Sequence, residues 1–264
     1  MPLMRPEDYP PQRPVADYAR AYHEEAFRRA AMLDGENHFY GADKYQSIGL
    51  FRPKVPNGSV LAFMHGGAWA SGYKEWMAFM APAFTAQGVT FATIGYRLMP
   101  THRWPVGFED CGAAIAWLHA NAGTNGTTPR IFVGGHSAGG HYAALLAVMH
   151  DWQAKHDLPA DVIRGCLPIS GVFQLSAQPQ GPESPLSPVW AIQGNPPPFL
   201  ITVGEHDPPN IIHNGHTMAG ALKDAGGAVE TLVLKDCDHL ATSVISGEAN
   251  GPWAPRAQAF MAAH

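Results

Sequence analysis

Residues 130–149 constrain the fold more than any other part of this chain. Ile131, Phe132 and Val133 form a short apolar run suited to a strand buried on both faces, and 142–149 is rich in the helix formers Ala, Leu and Met. Between them stands Gly135-His136-Ser137-Ala138-Gly139, a G-x-S-x-G pattern that puts Ser137 at a tight strand-to-helix corner. Glycines on both sides of the serine remove the Cβ atoms that such a crowded turn cannot hold. A strand running directly into a helix in this way is the unit from which a parallel sheet is built.

The rest of the chain repeats that unit. A helix is expected over 18–32, ending near Asp34-Gly35 with glycine as its C-cap. A strand is expected over 45–51, and Asn57-Gly58 turns the chain into the buried strand 60–64. A helix over 75–87, a strand over 89–94 and an amphipathic helix over 108–120 follow. Beyond 131–133 and the helix 137–150 come strand 162–169, strand 199–203, helix 211–225, strand 228–234 and a last helix over 253–262. Alternation of this kind predicts one α/β domain over 1–264, with a mainly parallel central sheet and helices on both faces. Functional loops then belong at the carboxyl ends of the strands. The N-terminal helical segment, 1–40, is expected to cover the site, and the Pro-, Ser- and Gln-rich stretch 174–198 reads as a lid-like loop.

Composition narrows the partners. The 264 residues are 46% hydrophobic and carry a net charge of −5 with no Lys/Arg cluster, which argues against nucleic acid and for a small molecule. No apolar run marks a signal peptide or a membrane span, so a cytoplasmic protein is expected. Cys111, Cys166 and Cys237 are odd in number and widely spaced, as reduced thiols would be.

A serine hydroxyl is a weak nucleophile and needs a base, with an acid to orient that base. After strand 199–203 comes Gly204-Glu205-His206-Asp207, and after 229–234 comes Lys235-Asp236-Cys237-Asp238-His239. Asp207 as acid and His239 as base therefore fall where the order Ser, Asp, His requires them, with Glu205 a weaker substitute and Asp236 and Asp238 too close to His239 in sequence to orient it. His65, His136, His141 and His206 are less suited to the role of base. His65-Gly66-Gly67-Ala68-Trp69 follows strand 60–64, and its glycine pair can leave backbone N–H groups free for an oxyanion. His206, Asp207, His213 and His216 suggest a metal site only loosely, because H-E-x-x-H and Cys-rich patterns are missing, so neither metal nor cofactor is expected.

These motifs resemble the α/β-hydrolase superfamily, and within it the HGG-bearing esterases, including the hormone-sensitive-lipase-like and kynurenine formamidase (arylformamidase) groups. HGGAW at 65–69 is similar to the HGGxW of arylformamidase-type enzymes and departs at Ala68 from the HGGG of lipase-like ones. Tyr96-Arg97-Leu98-Met99-Pro100 with Trp104-Pro105 and Asp110 is similar to their shared YRLAP…P…D segment, and Ser184-Pro185-Leu186 to a short element before the acid strand. The resemblance implies an α/β-hydrolase fold with a small or minimal cap, and a serine hydrolase for a small carboxylic ester or aryl-formamide. Gly66, Gly67 and the N–H of Ala138 would form the oxyanion hole, and Trp69, Trp76, Trp104 and Trp190 an aromatic wall for the substrate. A hydrolase-fold binding protein without turnover is the competing reading, since fold alone does not ensure activity.

Overall fold

The computed structural model describes residues 1–124, 126–175 and 184–264. In chain order the regular elements are α1 (Arg20–Ala30), β1 (Glu36–Phe39), β2 (Ser47–Phe51), β3 (Ser59–Met64), α2 (Ala81–Thr85), β4 (Thr90–Ile94), α3 (Val106–Asn121), β5 (Arg130–His136), α4 (Ala138–Val148), α5 (Asp151–Ala154), β6 (Ile163–Ile169), β7 (Phe199–Gly204), α6 (Pro209–Asp224), β8 (Val229–Leu234), α7 (His239–Ser246) and α8 (Ala254–Ala263). The strands form one eight-stranded sheet in the order β1-β2-β4-β3-β5-β6-β7-β8. The β1–β2 and β2–β4 pairings are antiparallel and the remaining five are parallel. A mainly parallel sheet is what the sequence predicts.

Central strands are apolar along their whole length because both of their faces are covered. Side chains alternate across the sheet, so Val60, Ala62 and Met64 of β3 join one core with Ile131 and Val133 of β5, while Leu61, Phe63 and Phe132 join the other. The first core contains Cys111, Ile115 and Leu118 of α3 and Leu145 and Leu146 of α4; the second contains Trp76, Phe84, Trp253 and Phe260. All three cysteines are free and buried, in line with their spacing. Among the described residues, no helix is long and apolar enough to cross a membrane.

After β3 the chain moves outward to β4, then returns to lay β5 on the opposite side of β3. That reversal opens a crevice at the carboxyl ends of β3 and β5, where α/β sheets bind their ligands. Met64 is in register with Gly135, so the turn after β3 and the corner after β5 are neighbours.

Several boundaries differ from expectation for identifiable reasons. The first helix is shorter, with a 3-10 turn at Asp17–Ala19 before it and Ala31, not Gly35, as its C-cap. Gly35 serves packing instead: a Cβ there would stand 2.5 Å from Cε1 of Phe51. The expected helix over 75–87 divides into a 3-10 stretch, Lys74–Met80, and α2, with Pro82 in the first turn where its missing N–H costs nothing. β1 has few strand formers and is held by its pairing with β2. The start of α7 is set by Asp238, whose Oδ1 accepts from the N–H groups of Leu240 and Ala241 at 3.0 and 2.9 Å.

Candidate active site

Ser137 links β5 to α4 with φ of +55° and ψ of −117°, a conformation that costs a non-glycine residue on the order of 1–3 kcal/mol and persists only where its surroundings enforce it. The flanking glycines show how it is enforced. A Cβ on Gly135 would lie 2.3 Å from the carbonyl carbon of Gly139, and one on Gly139 would lie 2.2 Å from the carbonyl oxygen of Met64. The corner thus presses against the end of β3, leaving Ser137 half-buried at the head of α4.

His239, the first residue of α7, faces it. Its Nε2 lies 3.0 Å from Ser137 Oγ, and its Nδ1 lies 2.7 Å from Asp207 Oδ1. A carboxylate only accepts, so Nδ1 carries the proton and Nε2 is free to accept from the serine hydroxyl. Asp207 is buried, and its Oδ2 accepts from Ser170 Oγ at 2.6 Å and from the Gly204 N–H at 2.7 Å. Burial pushes its pKa up, but the hydrogen bonds from His239, Ser170 and Gly204 outweigh it and hold the carboxyl below its ordinary value. The other acids are engaged elsewhere: Asp238 caps α7, and exposed Glu205 accepts from the Asp236 N–H at 3.0 Å.

Ser170, Thr242 and His136 complete the support, and the motifs do not reveal them. The His239 carbonyl accepts from His136 Nε2–H at 2.7 Å and from Thr242 Oγ at 2.8 Å. Burial is the main reason the His136 pKa falls to about 3, so the ring is a neutral donor bracing the loop. Ser170 directly follows β6, and its place at a strand's carboxyl end was the available sequence signal.

The glycine turn approaches from the other side. A Cβ on Gly66 would stand 3.3 Å from Ser137 Cβ, and Gly67, at φ of +113°, has Ser71 O where a Cβ would go, 1.9 Å away. His65 Nδ1–H donates to Gly66 O at 2.7 Å, and Tyr96 O–H donates to His65 O at 2.8 Å. Trp69 Nε1–H donates to His141 Nδ1 at 3.1 Å, and His141 Nε2–H to Leu186 O at 2.6 Å, which ties the turn to α4 and to the start of the 184–190 segment. Arg97 grips Asp110 at 2.8 and 2.7 Å, so the Tyr96–Asp110 motif is a brace beneath the site.

A cavity of about 350 Å³ opens beside Ser137. Gly66, Gly67, His136 and His239 line its inner wall, and Arg13, Val15, Tyr22 and His23 of the N-terminal segment form the outer one. The aromatic wall needs correction. Of the four tryptophans, Trp76 lines this cavity, stacked on His23 with ring centroids 3.5 Å apart. Trp69 is turned toward His141, Trp104 stacks on Phe108 at 5.3 Å, and Trp190 stands 37% exposed; none of these three lines the cavity. The 174–198 stretch contributes no described residue to the lining, and its residues 176–183 lie outside the described residues.

Asp207 is committed to His239, and His213 and His216 lie on the exposed face of α6. Among the described residues, the one group of prospective metal ligands that converges is Glu205, His206 and Asp236, all exposed.

Known proteins resemble this chain in sequence and in fold. The BD-FAE family model matches residues 49–162, somewhat under half of the chain. Esterase LipC of Mycobacterium tuberculosis is 27% identical over 89% of this chain and 66% of its own length. Carboxylesterase NlhH of the same organism is 38% identical over 33% of this chain and 28% of its own. The chain thus spans about two thirds of the one and under a third of the other. Among solved structures, the apo form of Thermogutta terrifontis esterase 2 superposes with a TM-score of 0.74 at 22% identity, over 88% of this chain and 95% of that one.

Proposed function

We propose that the chain is a serine hydrolase of small carboxylic esters within the α/β-hydrolase superfamily, beside its hormone-sensitive-lipase-like esterases. One observation carries the proposal: the unbroken relay from Ser137 Oγ through His239 to Asp207, at 3.0 and 2.7 Å.

In this reading His239 Nε2 takes the hydroxyl proton as Ser137 Oγ attacks the ester carbonyl, and Asp207 stabilises the imidazolium without itself becoming protonated. The N–H groups of Gly66, Gly67 and Ala138 supply the oxyanion hole, each donor worth roughly 2.7–4 kcal/mol in the transition state. His239 then returns its proton to the leaving alcohol, an acyl-enzyme forms on Ser137, and water activated by the same histidine releases the acid. A cavity of about 350 Å³ suits a short acyl chain or a compact aromatic group. The same steps would cleave an aryl-formamide, and the HGGAW turn favours testing that substrate too.

Wild-type enzyme should hydrolyse phenyl butyrate, and Ser137→Ala should lower kcat by a factor of roughly 10⁴ or more. Equal rates in the two proteins would overturn the assignment. Comparing kcat/KM for N-formylkynurenine with that for phenyl butyrate decides between formamide and ester.

A further inference from the structure

Among the residues lining the cavity beside Ser137, Arg13 is the one Lys, Arg, Asp or Glu. In a chain with a net charge of −5, a substrate cavity with a cation and no carboxylate runs against the average surface. Arg13 is exposed and makes no ion pair or side-chain hydrogen bond among the described residues, whereas the nearby Arg20 is paired with Asp17 at 2.5 Å. Acids adjacent in sequence to lining residues are occupied, Asp17 by Arg20, Glu75 by Lys74 and Tyr9, and Asp238 by the α7 N-terminus, while Asp207 is held by His239. Glu24 lines a neighbouring groove that Arg13 also borders, and it makes no ion pair with Arg13. A guanidinium is a donor only, so it is served by an acceptor-rich, negatively charged group.

We propose that the preferred substrate is an ester carrying a carboxylate away from the scissile bond, received by Arg13 at the cavity mouth. This rests on the serine-hydrolase reading above. A guanidinium at the rim of a cleft attracts an anion both during encounter and in the bound complex, and a solvent-facing pair of this kind gives a preference of up to about fivefold in kcat/KM.

The test uses two matched substrate pairs, each an anionic ester against a neutral isostere. Monophenyl adipate against phenyl hexanoate places the charge on the acyl side; 3-carboxyphenyl butyrate against 3-carbamoylphenyl butyrate places it on the leaving group. The wild type should prefer the anionic member of at least one pair by about two- to fivefold, and the preference should shrink as ionic strength rises to about 0.5 M. Arg13→Lys should keep most of it, Arg13→Gln should bring the ratio near one, and Arg13→Glu should reverse it. A neutral preference in both pairs, or the same ratio in wild type and Arg13→Gln, would overturn the proposal while leaving ester hydrolysis standing. Failure to turn over any of the four esters would overturn both.

Discussion

At Gly139 an added methyl would sit 2.2 Å from Met64 O and 2.6 Å from His65 O, both main-chain atoms at the end of the central strand. Gly139→Ala must therefore push α4 away from β3, and a loss of several kcal/mol is expected, read as a lower midpoint of urea unfolding together with loss of the proposed esterase activity. Asp207→Asn keeps the shape of the acid but favours the wrong tautomer of His239; kcat should fall on the order of 10³- to 10⁴-fold at neutral pH. His136 acts at one remove, holding the His239 carbonyl. His136→Phe should lower kcat about tenfold with little change in KM, and His136→Gln, which restores a donor, should recover part of the loss. An unchanged kcat in His136→Phe would mean that Thr242 alone suffices to hold the loop. The convergence of Ser137, Asp207 and His239 was legible in the sequence because each follows a strand, in the order Ser, Asp, His. His136, Ser170 and Thr242 were not, because a single hydrogen bond to a backbone or carboxylate leaves no periodic trace.

The N-terminal segment is the element on which the cavity depends, and buried polar contacts fasten it. Tyr9 O–H donates to Glu75 Oε2 at 2.8 Å, Lys74 Nζ donates to Tyr9 at 2.7 Å, and Lys74 and Glu75 pair at 2.5 Å, all of them buried. Gln12 adds a pair of bonds to Gly72, donating from Nε2 to its carbonyl and accepting from its N–H. Tyr9→Phe leaves the buried Lys74–Glu75 pair short of a partner, so stability should drop by about 1–3 kcal/mol. If the segment forms the substrate wall, KM should rise more than kcat falls, and a stability loss with unchanged KM would separate the anchor from the site. Strand and helix periodicity located the central elements to within a few residues. It did not distinguish the 3-10 stretch Lys74–Met80 from α-helix, because apolar residues on every side of a buried segment erase the helical period. Nor could it tell which tryptophans face the site: Trp69 and Trp76 flank the same turn, and long-range ring contacts, edge-to-face with His141 for the one and stacked on His23 for the other, decide their directions.

For the molecule as a whole, buried neutral histidines tie stability to pH. His65 and His141 have pKa values lowered to about 4, and His136 to about 3, chiefly by burial. Unfolded, each would titrate near its ordinary 6.5, so between that pH and the folded value the unfolded chain binds more protons. Stability is therefore fully present above about pH 6.5 and declines as pH falls toward 4, by up to about 3 kcal/mol for each histidine. Asp207 adds to the decline at lower pH, because its folded pKa lies below the ordinary carboxylate value. Urea midpoints measured from pH 7.5 down to about 4.5 should fall steadily, and a flat profile would mean that these rings are solvated in the native state. The central claim, that Ser137 is the nucleophile, is tested most directly by treating the wild-type protein with a fluorophosphonate and locating the adduct by peptide mass spectrometry. One label per chain on Ser137, with none in Ser137→Ala, is the predicted result; a label on another residue, or undiminished labelling of the variant, would contradict it.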